Sequence, residues 1–152
     1  MQYFFFWNGP FSNWDHSPFT IDGIDFNCGE QYMMYHKSLT CGDIQTAVEV
    51  MMTKSPSEQK KLGRQIKNYD EALWSEKRQD IVKAGLKEKF LQNSRHMKFL
   101  KKHKGKRIVE ASPEDRVWGI GYASHNAMEN IDDWGTDILG KIITELSLEI
   151  TD

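Results

Sequence analysis

The sequence predicts a mainly α-helical fold, a compact single-domain helical bundle with a few short β-strands. Its 152 residues suit one domain spanning 1–152, long enough to bury roughly two thirds of the surface that the unfolded chain exposes. Two long segments, Glu71 to Gln92 and Ile138 to Glu149, hold apolar residues at helical spacing. The extended segments are short and bounded by turn residues, and no internal repeat, low-complexity stretch or linker divides the chain.

Taken in order, Tyr3 to Trp7 is an apolar run broken by Asn8, Gly9 and Pro10, which reads as a buried first strand. Phe19–Ile21 and Ile24–Phe26 flank Asp22-Gly23, a pair that favours a tight hairpin. Asn27 with Glu30 three residues later fits a capping box, which predicts a helix from Cys28 to about Leu39. Ser55-Pro56-Ser57-Glu58 is a second helix start, with Ser55 as cap and Pro56 at the first helical position, and that helix ends near Gln65. Asp70 caps the longest helix, Glu71 to Gln92, along which Trp74, Ile81, Val82, Leu86 and Phe90 recur. Ser94 opens a short helix to about Lys102, Arg107–Ala111 reads as a strand, and Trp118–Tyr122 reads as an extended or turn segment. The last helix, Ile138 to Glu149, carries Leu139, Ile142, Ile143, Leu146 and Ile150 on its apolar side.

Composition narrows the function. Hydrophobic residues make up 39% and charged residues 28%, as in soluble globular chains. A net charge of −2 supplies no global drive toward nucleic acid or membrane. The N-terminal apolar run is too short for a signal-peptide core or a membrane span. Cys28 and Cys41 form no CxxC or Cys/His ligand pattern and suit a reduced, cytoplasmic compartment. Five scattered histidines show no ligand spacing, so no metal is expected. One basic run, Lys98 to Arg107, can meet phosphates or serve as a solvated helix face.

Glu30 and Lys37 are the most informative pair. Seven residues apart on one helix, they point the same way with roughly 10 Å between them along the axis. A carboxylate and an amine converging on one small molecule suit acid/base chemistry with a covalent amine nucleophile. Glu30 can equally close the capping box. Lys37 acts as a nucleophile only when deprotonated, which needs burial or nearby cations, whereas Glu30 favours the charged ammonium. In Asp115-Arg116-Val117-Trp118-Gly119, Asp115 suits ribose hydroxyls, Trp118 suits stacking, and Gly119 lets backbone approach a ligand; a structural turn with a core Trp118 is the alternative. Ser12 and Asn13 place small polar groups at a rim, and Trp74 with Arg78 one turn away pairs a stacking ring with a phosphate-binding cation. No GxSxG elbow, P-loop or dinucleotide fingerprint is present.

Read in order, Phe11-Ser12-Asn13-Trp14, Asp22-Gly23, the Glu30 to Lys37 helix, Trp74 to Arg78, Lys89-Phe90, Val109-Glu110-Ala111, Asp115 to Gly121, Trp134-Gly135 and Leu139-Gly140 resemble the NADAR family, also called YbiA-like. The ordered set covers almost the whole chain. The resemblance implies a mainly helical, metal-independent enzyme without a cofactor that hydrolyses N-glycosidic bonds. It implies a substrate containing ADP-ribose or a ribosylated base, above all ADP-ribosylated guanine, free or in DNA or RNA. Breakdown of ribosylamino-pyrimidine phosphate intermediates of riboflavin synthesis is the alternative, and a non-catalytic module binding NAD or ADP-ribose is a third. Carried over by position, it places Glu30, Lys37 and Asp115 in the reaction centre with Trp118, and Trp74 at a recurrent position. Two positions depart from the pattern: Asp137 stands where the family often has Asn, and Ser147 where an arginine is frequent. A carboxylate at 137 would disfavour a nearby phosphate.

Overall fold

Turn and cap chemistry sets most of the elements. The computed structural model describes residues 1–152 and divides into two units, one from both chain ends (Met1–Ser12 with Ser94–Asp152) and one from the middle (Asn13–Asn93).

The central unit opens with the hairpin of β2 (Phe19–Ile21) and β3 (Ile24–Phe26). Asp22 and Gly23 both take positive φ, 53° and 77°, as a tight hairpin of right-twisted strands requires. Next come α1 (Gly29–Thr40), α2 (Ile44–Met52), α3 (Pro56–Gly63) and α4 (Glu71–Gln92). Helix α1 packs against α2, α3 and α4, so it is the unit's central element. Ser55 and Asp70 cap α3 and α4 through the backbone N–H groups of Glu58 and Leu73, as the sequence predicts. Inside α4, Gly85 faces the Tyr32 ring, where a Cβ would lie 2.3 Å from a ring carbon. Tyr32 thereby reaches the Ile81 carbonyl, donating its hydroxyl at 2.9 Å.

The sequence pattern gives no helix signal for α2. Its β-branched residues Ile44, Thr46, Val48 and Val50 alternate as in a strand. The side chain of Asp43 decides otherwise by accepting from the Thr46 N–H at 3.0 Å and the Thr46 hydroxyl at 2.6 Å.

In the terminal unit, β1 (Tyr3–Phe6) pairs in parallel with β4 (Arg107–Glu110), Phe4 opposite Ile108. Both strands are one residue shorter than the sequence suggests. Of β1 only Phe6 is buried, and Trp7 beyond it is 57% exposed. Helices α5 (Ser94–Lys102) and α6 (Ile138–Glu149) complete this unit, with α6 packed on β4. The Trp118–Tyr122 stretch is turn rather than strand, and two 3₁₀ turns, Ser124–Asn126 and Met128–Asp133, follow it. No helix is long and apolar enough to cross a membrane.

Candidate active site

Glu30 sits in the first turn of α1 and is 4% exposed. The expected capping box is not formed. Cys28 is the N-cap, without a side-chain cap bond. The neighbouring Gln31 takes the role foreseen for Glu30, its Oε1 accepting the Asn27 N–H at 2.8 Å. The Asn27 side chain is engaged elsewhere, donating to the Lys54 carbonyl and accepting from Gln59. The helix start is therefore capped without the Glu30 carboxylate.

Asn13 lies beside it. Its carbonyl accepts the Glu30 N–H at 2.9 Å, and its side chain packs so tightly on Gly29 that a Cβ there would come within 2.4 Å of Asn13 Oδ1. Asn13 is 7% exposed, and Oδ1 is buried without a hydrogen-bond partner in the protein. A buried acceptor left unmatched costs about 1–3 kcal/mol, and a ligand hydroxyl or amine would satisfy it.

Lys37 is half-buried near the far end of α1. Its Nζ donates to the Gly63 carbonyl at 3.2 Å and lies 4.9 Å from the centre of the Tyr69 ring. Burial pulls its pKa below the ordinary lysine value. Glu30, Cys41 and Glu71 act in the opposite sense, and Arg64 assists the lowering. Desolvation thus outweighs the nearby carboxylates, the condition an amine nucleophile requires. Glu71 in turn accepts the Tyr69 hydroxyl and stands 3.7 Å from Arg78 Nη1. Trp74, one turn before Arg78 on α4, is 3% exposed. Glu30, Lys37, Asn13, Trp74 and Arg78 thus all belong to the central unit.

Lys89 has no role in the sequence pattern beyond its place beside Phe90 in the family resemblance. It is fully buried and its pKa is pulled down to about 8, chiefly by desolvation, against the pull of Asp15 and Cys28. The signal was present: a lysine seven residues after Val82 falls on the buried stripe of α4. Cys28 is its electrostatic neighbour, and burial together with Glu30 pushes that thiol up to about 11, so it remains protonated and unreactive at neutral pH.

Ser12, Asp115, Trp118 and Gly119 belong to the terminal unit. Asp115 Oδ1 accepts the N–H groups of Val117 at 2.8 Å and Trp118 at 2.9 Å, so one carboxylate oxygen holds the turn. Trp118 is half-buried. Gly119 is not an open approach for a ligand: its missing Cβ is required by Glu110 O and Asp115 O, which would lie 2.8 and 3.1 Å away. Ser12 closes the turn from Gly9, donating its N–H to the Gly9 carbonyl. Asp137 caps α6 from a left-handed backbone conformation, accepting the N–H groups of Glu110 and Gly140. Its Oδ2 stands 2.8 Å from Arg107 Nη1. The negative charge expected to repel phosphate is therefore buried and paired. Ser147 is buried too, donating to the Thr144 carbonyl. No group of three or more His, Cys, Asp or Glu residues is gathered as a metal site.

The model of the NADAR domain matches residues 4–151. An N-glycosidase of Acanthamoeba polyphaga mimivirus is 38% identical over 128 residues, 82% of this chain and 75% of that protein. Protein irg-1 of Caenorhabditis elegans is 35% identical across 84% of this chain and 62% of its own length. The chloroplastic riboflavin biosynthesis protein PYRR of Zea mays is 29% identical across 93% of this chain, which spans only 23% of that protein. The solved structure of Escherichia coli YbiA has the same fold, with a TM-score of 0.80 over 98% of this chain and 84% of that one at 22% identity. These likenesses define a helical enzyme of the N-glycosidase class. The chain belongs to the NADAR family.

Proposed function

We propose that this enzyme hydrolyses the bond between ribose C1′ and a guanine nitrogen in ADP-ribosylated guanine. The observation that carries the reading is the placement of the half-buried Lys37 amine against the Gly63 carbonyl and the Tyr69 ring, where burial lowers its pKa although Glu30 opposes the shift. In the proposed reaction Lys37 Nζ forms a bond to C1′ while the C1′–N bond to the base breaks. The base leaves with the bonding electron pair and takes a proton from Glu30. Loss of a proton from Nζ to Glu30 and opening of the ribose ring give a Schiff base. Water then adds to C1′ and releases ADP-ribose, restoring both side chains with one water consumed. Asn13 Oδ1 accepts a substrate hydroxyl or amine. Within the central unit, Trp74 is assigned to ring stacking and Arg78 to a phosphate.

Lys37→Ala should abolish turnover of ADP-ribosylated guanosine with the helical circular dichroism retained, and borohydride quenching of the wild type should leave a mass adduct on Lys37. Full activity in both Lys37→Ala and Glu30→Gln overturns the reading; binding without turnover in the wild type would instead establish a silent module. A second substrate class is favoured by one observation, the likeness to the maize riboflavin biosynthesis protein. Direct competition between ADP-ribosylated guanosine and ribosylamino-pyrimidine phosphates separates the two.

A further inference from the structure

We propose that the exposed face of α5, together with the aromatic cleft beside it, binds single-stranded nucleic acid. This goes beyond the reading of the reaction and does not depend on it.

The segment Ser94 to Arg107 contains seven Lys and Arg residues and no Asp or Glu, in a chain whose net charge is −2. Three of the seven are engaged at the end of the run. Arg107 pairs with Asp137, Lys106 Nζ meets His103 Nδ1 at 3.1 Å, and Lys104 Nζ donates to the Thr151 carbonyl at 3.1 Å. Lys98, Lys101 and Lys102 are exposed on α5, as is Arg95 in its first turn. At about 100° per residue they fall within an arc of about 120°. His96 and Leu100 are buried on the other face of α5.

Phe99 lies at the margin between these faces. It is half-buried and, with Phe5, Trp7, Pro10 and Ala123, lines a cleft of about 460 Å³. Trp7 at the rim leaves 57% of its surface in water. A cationic arc that meets an aromatic cleft is the combination that holds single strands: the cations follow the phosphates, and the rings stack on bases that a duplex would keep paired. An acidic peptide would match the charge but leave the indole without a stacking partner.

The test is fluorescence anisotropy of a labelled, unmodified oligothymidylate with the full chain. Binding should weaken steeply with salt, and the slope should flatten in the Lys98→Gln/Lys101→Gln/Lys102→Gln variant. Trp7→Ala should weaken binding by about tenfold or more, whereas Trp7→Phe retains it. No binding of the oligonucleotide overturns the proposal, as does equal affinity for a duplex or for polyglutamate. Equal binding by the wild type and the triple variant also overturns it. Because the probe carries no scissile bond, the result is separate from the reaction. The triple variant should turn over free ADP-ribosylated guanosine at the wild-type rate, and Lys37→Ala should bind the oligonucleotide normally.

Discussion

The Lys37 ammonium lies 4.9 Å from the centre of the Tyr69 ring, and the Tyr69 hydroxyl donates to Glu71. The ring face favours the protonated amine, as does the Glu71 charge, while Arg64 and burial favour the neutral one. The acid limb of the pH–rate profile is therefore expected to follow Lys37 and to respond to charges that touch no substrate in the proposed reaction. Glu71→Gln removes a charge that raises the Lys37 pKa and should move the limb to lower pH. Arg64→Gln should move it to higher pH. Identical profiles in both variants would show that Lys37 deprotonation does not limit the reaction.

Asn13 offers a cleaner separation of binding from folding. Its side-chain oxygen has no hydrogen-bond partner in the protein, so truncation leaves no protein donor stranded. Asn13→Ala is expected to raise KM by about tenfold with the melting temperature unchanged or higher. A lower melting temperature with unchanged KM would make Asn13 a packing residue alone.

How far this was legible in the sequence varies by segment, for physical reasons. The Ser55, Asp70 and Asp22-Gly23 signals worked because each element end is set by a local hydrogen bond or a local φ. Helix α2 was hidden because its alternating Ile44, Thr46, Val48 and Val50 pattern is that of a strand, and the Asp43 cap together with packing against α1 reverses that preference. Glu30 was visible as a candidate, but only the structure separates it from the cap, by showing that Gln31 does that work. The balance at Lys37 was out of reach, since desolvation depends on α3 and the 63–69 segment folding over α1.

Gly119 exemplifies a residue whose role changed. It is held against the Glu110 and Asp115 carbonyls, and its own carbonyl accepts the Asp137 N–H at 3.1 Å. Gly119→Ala should therefore act on the fold, costing on the order of 2 kcal/mol and lowering Tm by about 4–8 °C. Calorimetry would detect this. Unchanged stability with a raised KM would return Gly119 to a ligand-approach role.

Lys89 supplies a stability prediction with a definite sign. Its pKa is near 8 in the folded protein against 10.5 for the free side chain. Below pH 8 it is charged in both states, and its burial penalty is fully present. Between pH 8 and 10.5 the unfolded chain binds the additional proton, so this group makes stability rise with pH. Cys28 acts in the reverse direction, because its raised pKa near 11 favours the unfolded chain as pH passes 9. A single titration of the wild type therefore mixes the two, and the informative quantity is the difference between the wild type and Lys89→Met. Urea unfolding at pH 7.5 and 9.5 should show the wild type gaining about 2 kcal/mol relative to Lys89→Met across that interval. Parallel curves would mean that Lys89 keeps an ordinary pKa in the folded protein, which requires water or a carboxylate at its amine.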